Sequence, residues 1–519
     1  MTYKKIQAAL NVNKEIEDTS KQYEIEYSKM SGERSQDALD MLSDRKTELE
    51  GHQQEVEQFL NNVFKDIFIM RYRDICPEIR VICMDEISVW MKTFPKVFLS
   101  DQYLKYVGWL LNDKSKEVRR SCLTALGALF KDRELCVDLA LFTKRFKKRL
   151  ISMTCDLDQE CAVAAIKALT NVLVNRVELS LDFTDEDCES IYQLVFHVHR
   201  PIAVAAAEFV NKNLLTGTGY EENSFTRRGK RRSKNAPHFI NLVQFYTDAD
   251  IHQHTTYLVD SLWDVNPGLL KDWECMTQLL LDDDSLLKHQ DETALVDLLV
   301  RTVKQAASGA PPAGRTGGHQ KKHTGQSART KIAEDRSQLT DELIESLPKL
   351  FAKFGTDREK IILLLQIPRF FDLDSYTVNR GEKYLDELLH ELKQIVKKHA
   401  VEEILIEVSE TFAYLANPDA TICTKVHSAV TLLVDHLNDN FVQTINFMQQ
   451  NENELSGEDT AVLGTLARRL SLLSGKNDLT HKGLGMTAIE LLKSRVMATE
   501  NGDSIIQLDP GLIRYQTTK

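Results

Sequence analysis

The sequence predicts an all-α fold, a HEAT-repeat-like α-solenoid, and three observations predict it. The 519 residues include only 11 prolines and 22 glycines, which leaves long stretches rich in the helix formers Leu, Glu, Lys and Ala. Apolar residues recur in these stretches at the spacing of one helix face. A pattern of small and aliphatic residues also recurs with a period of about 40 residues, which is typical of stacked helix pairs.

The repeat is clearest when it is counted from Asp113 and from Asp156. Units that begin at Asp74 and Val198 follow the same pattern with one exception each, Glu86 and Asn211. The four origins lie 39, 43 and 42 residues apart. Such units bury their apolar faces only against their neighbours, so the pattern predicts a stacked array. The residues at offsets 5, 9, 12, 13 and 16 are Val118, Cys122, Ala125, Leu126 and Leu129 in one unit, and Cys161, Ala165, Ala168, Leu169 and Val172 in the next.

Two segments flank or interrupt the repeats. Residues 36–69 predict a long amphipathic helix, and packing on the array is favoured over a free coiled coil because the heptad pattern lapses at His52 and Gln53. Residues 305–332 combine Pro, Gly, Ser and basic residues with almost no large apolar side chain. This composition predicts a disordered or exposed linker that divides two helical halves. Residues 338–498 return to helix-pair patterns.

The composition narrows the class of protein. The formal net charge of −12 means that any nucleic-acid contact comes from local basic patches. Nine cysteines without a CxxC pair predict reduced core residues of an intracellular protein. The N-terminus lacks the apolar core of a signal peptide, and no stretch reaches about 18 apolar residues. The sequence therefore predicts a protein that is neither secreted nor membrane-spanning.

No signature of an enzyme stands in the sequence. The patterns HExxH, GxSxG and GxxxxGK[ST] are missing, and GxG at Gly483–Gly485 follows no strand, so we expect a turn there. The metal-like pairs are His197 with His199 and His252 with His254, and each lacks a third ligand nearby. We therefore expect no catalysis, no metal and no cofactor.

The segment YLKYVGW raises the question of where Trp109 points. On a helical wheel of residues 101–111, Leu104, Val107 and Leu111 fall within about 60° and define a buried side. Asp101, Lys105 and Trp109 form a separate i, i+4 stripe. This places Trp109 on or near the surface. Two interpretations stay open on the wheel alone: packing against the adjacent repeat, or display as a platform for a partner's aromatic residue.

Residues 71–154, with the motifs RYRD, YLKYVGW and LFTKRF, resemble the stromalin-conserved domain of the cohesin subunit SA/STAG (Scc3) family. The resemblance continues in DCESIYQLVFHVHRPIAVAAAEF, YLVDSLWDVNPGLLKDWECM, LLQIPRFFDLDSYTVNRGEKYLDELL and ENGD, so it covers nearly the whole chain. It implies a curved HEAT-repeat subunit of the cohesin ring. The domains would be N-terminal helices packed on the array over 1–66, the stromalin-conserved domain over 67–152, further helix pairs over 153–304, the basic linker over 305–332 and C-terminal repeats over 333–519.

The resemblance also implies partners in the nucleus, on chromosomes. They are the kleisin (Rad21/Scc1 or its meiotic counterpart), the SMC ring through the kleisin, and duplex DNA without sequence specificity. Together with the kleisin, the family surface receives Phe/Tyr-x-Phe peptides from CTCF, Wapl or shugoshin. A peptide aromatic residue would stack on Trp109 with Arg145 over its face, and Asp101 and Lys105 would fix the peptide's polarity. By motif matching, the surface consists of Tyr72, Arg73, Asp101, Lys105, Trp109 and Arg145.

Two basic clusters are candidates for DNA phosphate contact, although a solvated helix face and a nuclear-import signal are the alternatives. The linker adds Lys321 and Lys322. The first cluster is Lys144, Arg145, Lys147, Lys148 and Arg149, and the second is Arg227, Arg228, Lys230, Arg231, Arg232 and Lys234.

Family members are longer, so we expect either a partial gene model or a short paralogue, mitotic or meiotic. The repeats alone would equally permit a HEAT adaptor of another class, in nuclear transport or as a phosphatase scaffold. An enzyme with an unrecognised site is a third, disfavoured class.

Overall fold

The computed structural model describes residues 33–177, 183–216, 233–248, 254–282, 287–317, 326–377, 381–450 and 457–474, with a few isolated positions beyond these ranges. Every regular element within them is helical, which confirms the all-α prediction. The chain divides into two compact units, Met1–Thr216 and Gly217–Lys519, each described by itself below.

Unit 1 is built from two layers of helices. The helices of one layer alternate along the chain with those of the other, and short turns join them. A π-helical turn, Phe64–Phe68, and a last turn, Ile69–Arg71, extend the first helix. The bounds are α1 Glu33–Val63, α2 Pro77–Thr93, α3 Asp101–Leu110, α4 Lys116–Lys131, α5 Ala140–Ser152, α6 Gln159–Val174, α7 Asp185–Tyr192 and α8 Arg200–Val210, with short helices at Pro95–Phe98 and Arg133–Cys136.

The repeat pattern marks the layer formed by α2, α4, α6 and α8, which pack on one another in that order. All ten pattern residues of α4 and α6 are buried, which confirms the prediction for the units at Asp113 and Asp156. The flanking units agree in part, because Ile79, Cys83 and Leu214 are only half-buried. Glu86, the exception in α2, is also half-buried, and burial raises the pKa of its carboxyl with help from the charge of Asp85.

Two Arg–Asp pairs join consecutive turns of unit 1. Arg80 donates from Nε and Nη2 to the carboxylate of Asp113, at 2.8 and 2.7 Å. Arg119 makes the same two bonds to Asp156, at 2.8 and 2.6 Å. The third guanidinium nitrogen of each arginine donates to backbone carbonyls of its own turn, those of Asp74 and Asp113 among them. Each arginine therefore binds the turn that precedes its helix and the turn of the next repeat.

The long first helix packs on the array, as the sequence predicts. Leu49, Leu60, Phe64 and Phe68 are buried. The ring of Phe64 lies 4.7 Å from that of Tyr103 on α3, centroid to centroid. The Tyr103 hydroxyl donates to the side chain of Asn61 at 2.6 Å. These contacts belong to a helix that lies against α3 and not to a free coiled coil.

Unit 2 repeats the two-layer arrangement. Helices α14, α16 and α18 pack in sequence in one layer, and α12, α15, α17 and α19 pack in sequence in the other. The bounds are α9 Ala236–Asp248, α10 Thr255–Trp263, α11 Trp273–Leu281, α12 His289–Ser308, α13 Gln326–Leu343, α14 Ser346–Phe354, α15 Arg358–Leu364, α16 Gly381–Lys398, α17 Glu402–Leu415, α18 Cys423–Gln450 and α19 Gly457–Ser474, with a short helix at Pro267–Leu270 and 3-10 turns at Ile367–Phe370 and Leu373–Thr377.

Most described residues of the predicted linker over 305–332 are exposed, as the composition predicts, but the segment departs from a free linker at its ends and at Arg315. Gln305 and Ala306 are buried in α12, and the helix α13 already begins at residue 326. The side chain of Arg315 is 1% exposed, lies 3.5 Å from the carboxylate of Asp260 and stacks over the ring of Tyr257. The division into compact units also falls at Thr216, upstream of this segment. The buried carboxylate of Asp260 thus holds this basic loop through Arg315, although the composition of the loop predicts a free segment.

Candidate functional site: an aromatic and cationic surface on α3 and α5

Helix α3 carries the stripe that the wheel separates from the core. Leu104, Val107 and Leu111 are 2%, 1% and 0% exposed, which confirms the predicted buried side. Trp109 is 45% exposed, and Asp101 is exposed as well. The interpretation in which Trp109 is buried against the adjacent repeat is therefore wrong.

Trp109 is surrounded by one aromatic ring and two cations, and we call Trp109, Tyr106, Arg73 and Lys105 the Trp109 platform. The ring of Tyr106 meets the indole at a centroid distance of 5.3 Å and an angle of 74°. The guanidinium carbon of Arg73 lies 5.6 Å from the indole centroid, and Lys105 Nζ lies 5.9 Å from it. Both cations are within the range in which a ring quadrupole attracts positive charge.

Tyr72 supports the platform from below. It is only 7% exposed, and its ring meets Tyr106 edge to face at a centroid distance of 4.8 Å. Arg73 lies over the ring of Tyr72 as well, with 5.0 Å between the guanidinium carbon and the centroid. The residues of RYRD and YLKYVGW therefore meet in space, with Tyr72 as a buried neighbour and not as an exposed contact.

Arg145 pairs with Asp101 at the other end of α3. Its Nη1 donates to both carboxylate oxygens of Asp101, at 3.1 and 3.2 Å. Both side chains are about half exposed, at 50% and 45%. The cations beside the indole are those of Arg73 and Lys105. The place of Arg145 over the ring of a bound peptide stays a prediction.

A cavity of about 420 Å³ opens beside Asp101, between α3 and α5. Sequence reasoning missed its apolar residues on α5, Leu141 and Phe142. Leu141 is 58% exposed, an unusual position for a leucine within a cluster of basic residues. That position, one turn ahead of Arg145 on an amphipathic helix, was the signal available in the sequence. The lining residues are Pro95, Lys96, Leu99, Ser100, Asp101, Leu104, Asp138, Leu141 and Phe142.

Gly108 permits the close approach of α3 and α5. A Cβ atom added at this position would lie 2.2 Å from the ring of Phe146 on α5. The glycine therefore lets the aromatic ring pack directly on the backbone of α3. This contact fixes the width of the groove that holds the cavity.

The basic cluster of α5 divides into exposed and engaged side chains. Lys144 and Lys148 are exposed. Lys147 Nζ lies 2.5 Å from the carboxylate of Asp187, and both side chains are mostly buried. Arg149 donates to the backbone carbonyl of Leu111 at 2.9 Å. Thus two of the side chains predicted to contact phosphates, Lys147 and Arg149, bond to groups within the protein.

The second basic cluster falls largely outside the described residues. Lys234 is described and exposed. Arg227, Arg228, Lys230, Arg231 and Arg232 lie outside the described ranges, as do Lys321 and Lys322 of the linker.

The metal-like histidine pairs find no third ligand in the described structure. No group of three or more His, Cys, Asp or Glu side chains there is placed to hold a metal ion. His197 Nδ1 accepts a hydrogen bond from the backbone N–H of His199, while His252 lies outside the described ranges. No helix among the described residues is long and apolar enough to cross a membrane.

All nine cysteines are free thiols, and Cys155 is the exposed one. Burial raises the pKa of Cys161 and of Cys275 to about 12, so these thiols stay protonated at neutral pH and act as small core residues.

Comparison with known proteins gives one consistent family. A model of the stromalin conservative domain matches residues 73–147, and a model of the cohesin subunit SCC3/SA HEAT-repeats domain matches residues 257–515. Cohesin subunit SA-1 of Xenopus laevis is 40% identical over 480 residues, which cover 92% of this chain and 38% of SA-1. Cohesin subunit SA-3 of Homo sapiens is 38% identical over 506 residues, which cover 96% of this chain and 40% of SA-3. The chain thus spans about two fifths of the length of these relatives.

The solved structure of the cohesin subunit Scc3 from Z. rouxii matches with a TM-score of 0.60 and 16% identity, over 99% of this chain and 62% of that one. Because the sequence identity is low, this similarity shows the fold alone. The shared fold confirms the HEAT-repeat prediction. The two family models together match well over half of the chain. They also decide between the classes that the repeats alone leave open, because neither describes a transport receptor or a phosphatase scaffold. The chain belongs to the cohesin subunit SCC3/SA family.

Proposed function

We propose that this chain acts as a non-catalytic subunit of cohesin in the nucleus. In this role it binds the kleisin, joins the SMC ring through it, contacts chromosomal DNA without sequence specificity and supports sister chromatid cohesion. Family membership supports the subunit role. The peptide surface rests on one observation: an exposed tryptophan between two cations lies on the same helix as a cavity lined by both apolar and charged side chains.

The platform and the cavity lie on one helix but on different sides of it. Leu104 in the cavity and Trp109 on the platform are five residues apart on α3, roughly 7.5 Å along the axis at the helical rise of ~1.5 Å per residue and about 140° apart around it. In an extended peptide, side chains at i and i+2 point the same way and lie about 7 Å apart. A peptide of the form Phe/Tyr-x-Phe, the motif of CTCF, Wapl and shugoshin, would therefore stack one aromatic side chain on Trp109, and its second aromatic side chain would reach the cavity only where the peptide curves around α3.

The charged residues have separate roles in this proposal. Arg73 and Lys105 lie against the indole and would close over a bound ring. The Asp101–Arg145 pair is half exposed, and such pairs contribute about 0–1 kcal/mol, so Arg145 is free to exchange Asp101 for a peptide carboxylate or carbonyl. Tyr72 would hold Tyr106 and Arg73 in place from beneath. A buried aromatic anchor of this kind contributes about 2 kcal/mol or more to binding.

The subunit role is tested by co-purification of the full chain with a kleisin fragment. Stable capture supports the role, and failure to capture the fragment overturns it. The peptide role is tested separately, by fluorescence anisotropy of a labelled Tyr-x-Phe peptide on the kleisin-bound chain. The double variant Trp109→Ala, Leu141→Ser should lose the peptide and keep the kleisin, because both side chains are well exposed and contribute little to the core. The matched control is a peptide with both aromatic residues replaced by alanine.

DNA contact is proposed for the exposed basic side chains. Lys144 and Lys148 lie on one face of α5, four residues apart, and Lys234 is exposed at the end of the second cluster. These side chains would bind phosphates by releasing counterions, which makes the contact independent of sequence and dependent on salt. The basic residues of the segment 227–232, which lies outside the described ranges, belong to the same proposal by their sequence alone.

A further inference from the structure

Unit 2 contains a second groove between helices, between α16 and α18. It encloses about 470 Å³. Its walls are two turns of each helix, and α16 and α18 are consecutive helices of one layer, as α3 and α5 are in unit 1. The lining residues are Asp386, Leu389, His390 and Lys393 of α16, and Thr424, Lys425, Ser428, Ala429 and Leu432 of α18.

The floor and rim of this groove differ in chemistry. Leu389 and Ala429 are 3% and 7% exposed and form an apolar floor. Leu432, by contrast, is 63% exposed, so an aliphatic side chain projects from the wall into solvent. Because most of this leucine is exposed, removing its side chain would cost the fold little apolar contact. A partner that covers the leucine would bury its apolar surface.

The charge of the groove is positive although the whole chain carries a formal net charge of −12. Lys425 Nζ lies 2.9 Å from the carboxylate of Asp386 and neutralises it. Among the described residues, no ion pair engages Lys393 or His390, which face the same groove one turn and more further along α16. The groove therefore presents one lysine, Lys393, that no ion pair of the described structure engages, beside the Lys425–Asp386 pair.

We propose that the α16–α18 groove binds an acidic amphipathic helix of a partner protein. The groove extends over residues 386–393 and 424–432, roughly 10–12 Å at ~1.5 Å per residue, which matches two turns of a helix. A third helix packs between two others with its apolar stripe on Leu389, Ala429 and Leu432. Carboxylates on either side of that stripe then face Lys393 and Lys425, which sets the orientation of the helix and excludes basic segments.

The chemistry favours a protein helix over nucleic acid, because a phosphate backbone has no apolar stripe to cover the exposed side chain of Leu432. Thr424 and Ser428 add hydroxyl groups, which can accept hydrogen bonds from a partner's side chain at the groove edge and donate hydrogen bonds to it. This surface is separate from the Trp109 platform, so the two make independent predictions.

The experiment measures anisotropy of a labelled peptide of ~15 residues on the full chain, with Leu at i, i+3, i+4 and i+7, Glu only at the positions that flank this stripe, and Ala at the rest to favour the helix. We expect wild-type binding, a loss of about tenfold or more in affinity for Leu432→Asp, and a similar loss for Lys393→Glu combined with Lys425→Glu. Lys398→Glu is the matched control, since Lys398 is exposed on α16 but does not line the groove, and it should change affinity less than about twofold.

Two further measurements decide the outcome. The same peptide with Ser in place of Leu should bind about tenfold more weakly or worse, and Trp109→Ala should leave binding of the parent peptide unchanged. Failure of the wild-type chain to bind, equal binding by Leu432→Asp, or complete displacement of the peptide by duplex DNA would each overturn the proposal. Because Leu432 is exposed, its substitution should leave the thermal unfolding temperature within about 2 °C of wild type, which separates loss of binding from loss of fold.

Discussion

The guanidinium of Arg119 makes two hydrogen bonds to the carboxylate of Asp156, 37 residues further along the chain. Both side chains are nearly buried, at 12% and 7% exposed. Arg80 and Asp113 form the same pair one repeat earlier. The pairs have a counterpart in the sequence of two units, where Arg80 follows Asp74 and Arg119 follows Asp113, each six residues later.

Breaking one of these pairs should destabilise unit 1. Arg119→Leu leaves the carboxylate of Asp156 buried without its partner, and such a change costs about 3 kcal/mol or more of unfolding free energy. Replacing both residues, as Arg119→Leu with Asp156→Leu, should recover part of the loss because no buried charge remains. Urea unfolding of the single and double variants measures the difference. Equal stability of wild type and Arg119→Leu would show that the pair contributes nothing.

The Asp156 pair also predicts a dependence on pH. Burial by itself would raise the pKa of Asp156, but the hydrogen bonds from Arg119 and from the backbone N–H of Asp158 outweigh it and hold the pKa below the usual range of an aspartate. A carboxyl whose pKa is lower in the folded state stabilises the fold above its unfolded pKa, and this contribution is lost as the pH falls through the folded pKa. Asp156→Asn should therefore be less stable than wild type at neutral pH, and the gap should narrow below about pH 4. A gap that stays constant from neutral to acid pH would contradict this assignment.

Trp109 should matter for binding and not for folding. Because its side chain is 45% exposed, Trp109→Ala should abolish binding of a Tyr-x-Phe peptide while helicity and thermal stability stay near wild type. The matched control is Trp273, which is fully buried with its Nε1 donating to Thr302. Trp273→Ala should cost about 3 kcal/mol or more of unfolding free energy. A comparable loss of stability in Trp109→Ala would favour a structural role for that residue.

Gly108 should tolerate no side chain. A Cβ atom at this position meets the ring of Phe146, so Gly108→Ala should cost about 1–3 kcal/mol and weaken peptide binding through the α3–α5 groove. Adding Phe146→Leu removes the colliding ring atoms and should restore part of the stability. Gly51→Ala is the control, because a Cβ there meets nothing within 4 Å and should stabilise the helix by up to about 1 kcal/mol. A neutral Gly108→Ala would mean that α5 shifts at no cost.

The lysines of α5 should separate into two groups in a DNA-binding assay. Lys144→Gln with Lys148→Gln should reduce the slope of log affinity against log salt by roughly two, because each phosphate contact contributes about 0.9. Lys147→Gln should leave that slope unchanged and lower stability instead, because Lys147 is paired with Asp187. An unchanged slope in the double variant would remove α5 from the DNA-binding surface.

The sequence predicted the features that depend on neighbours along the chain. The offsets from Asp113 and Asp156 identified the buried faces of α4 and α6, and the wheel of α3 identified the exposed side of Trp109. These features follow from helical periodicity, which a single sequence contains in full.

Features that depend on distant partners were missed or wrong. The partner of Arg145 is Asp101, 44 residues earlier, and the partner of Arg315 is Asp260, 55 residues earlier. Leu141 and Phe142 form a cavity only because Gly108 brings α5 close to α3. Composition and periodicity contain no information on which helices meet, so ion pairs and cavities between helices require the fold.

The Arg80–Asp113 pair has a mechanical consequence for the peptide surface. Arg73 lies directly before the turn at Asp74, and Trp109 lies four residues before Asp113, so the two sides of the platform belong to successive turns. Arg80 holds both turns, through the carbonyl of Asp74 and the carboxylate of Asp113. Arg80 therefore fixes the distance between the backbone that carries Arg73 and the backbone that carries the indole. The geometry of the Trp109 platform depends on an ion pair that is not itself part of the platform.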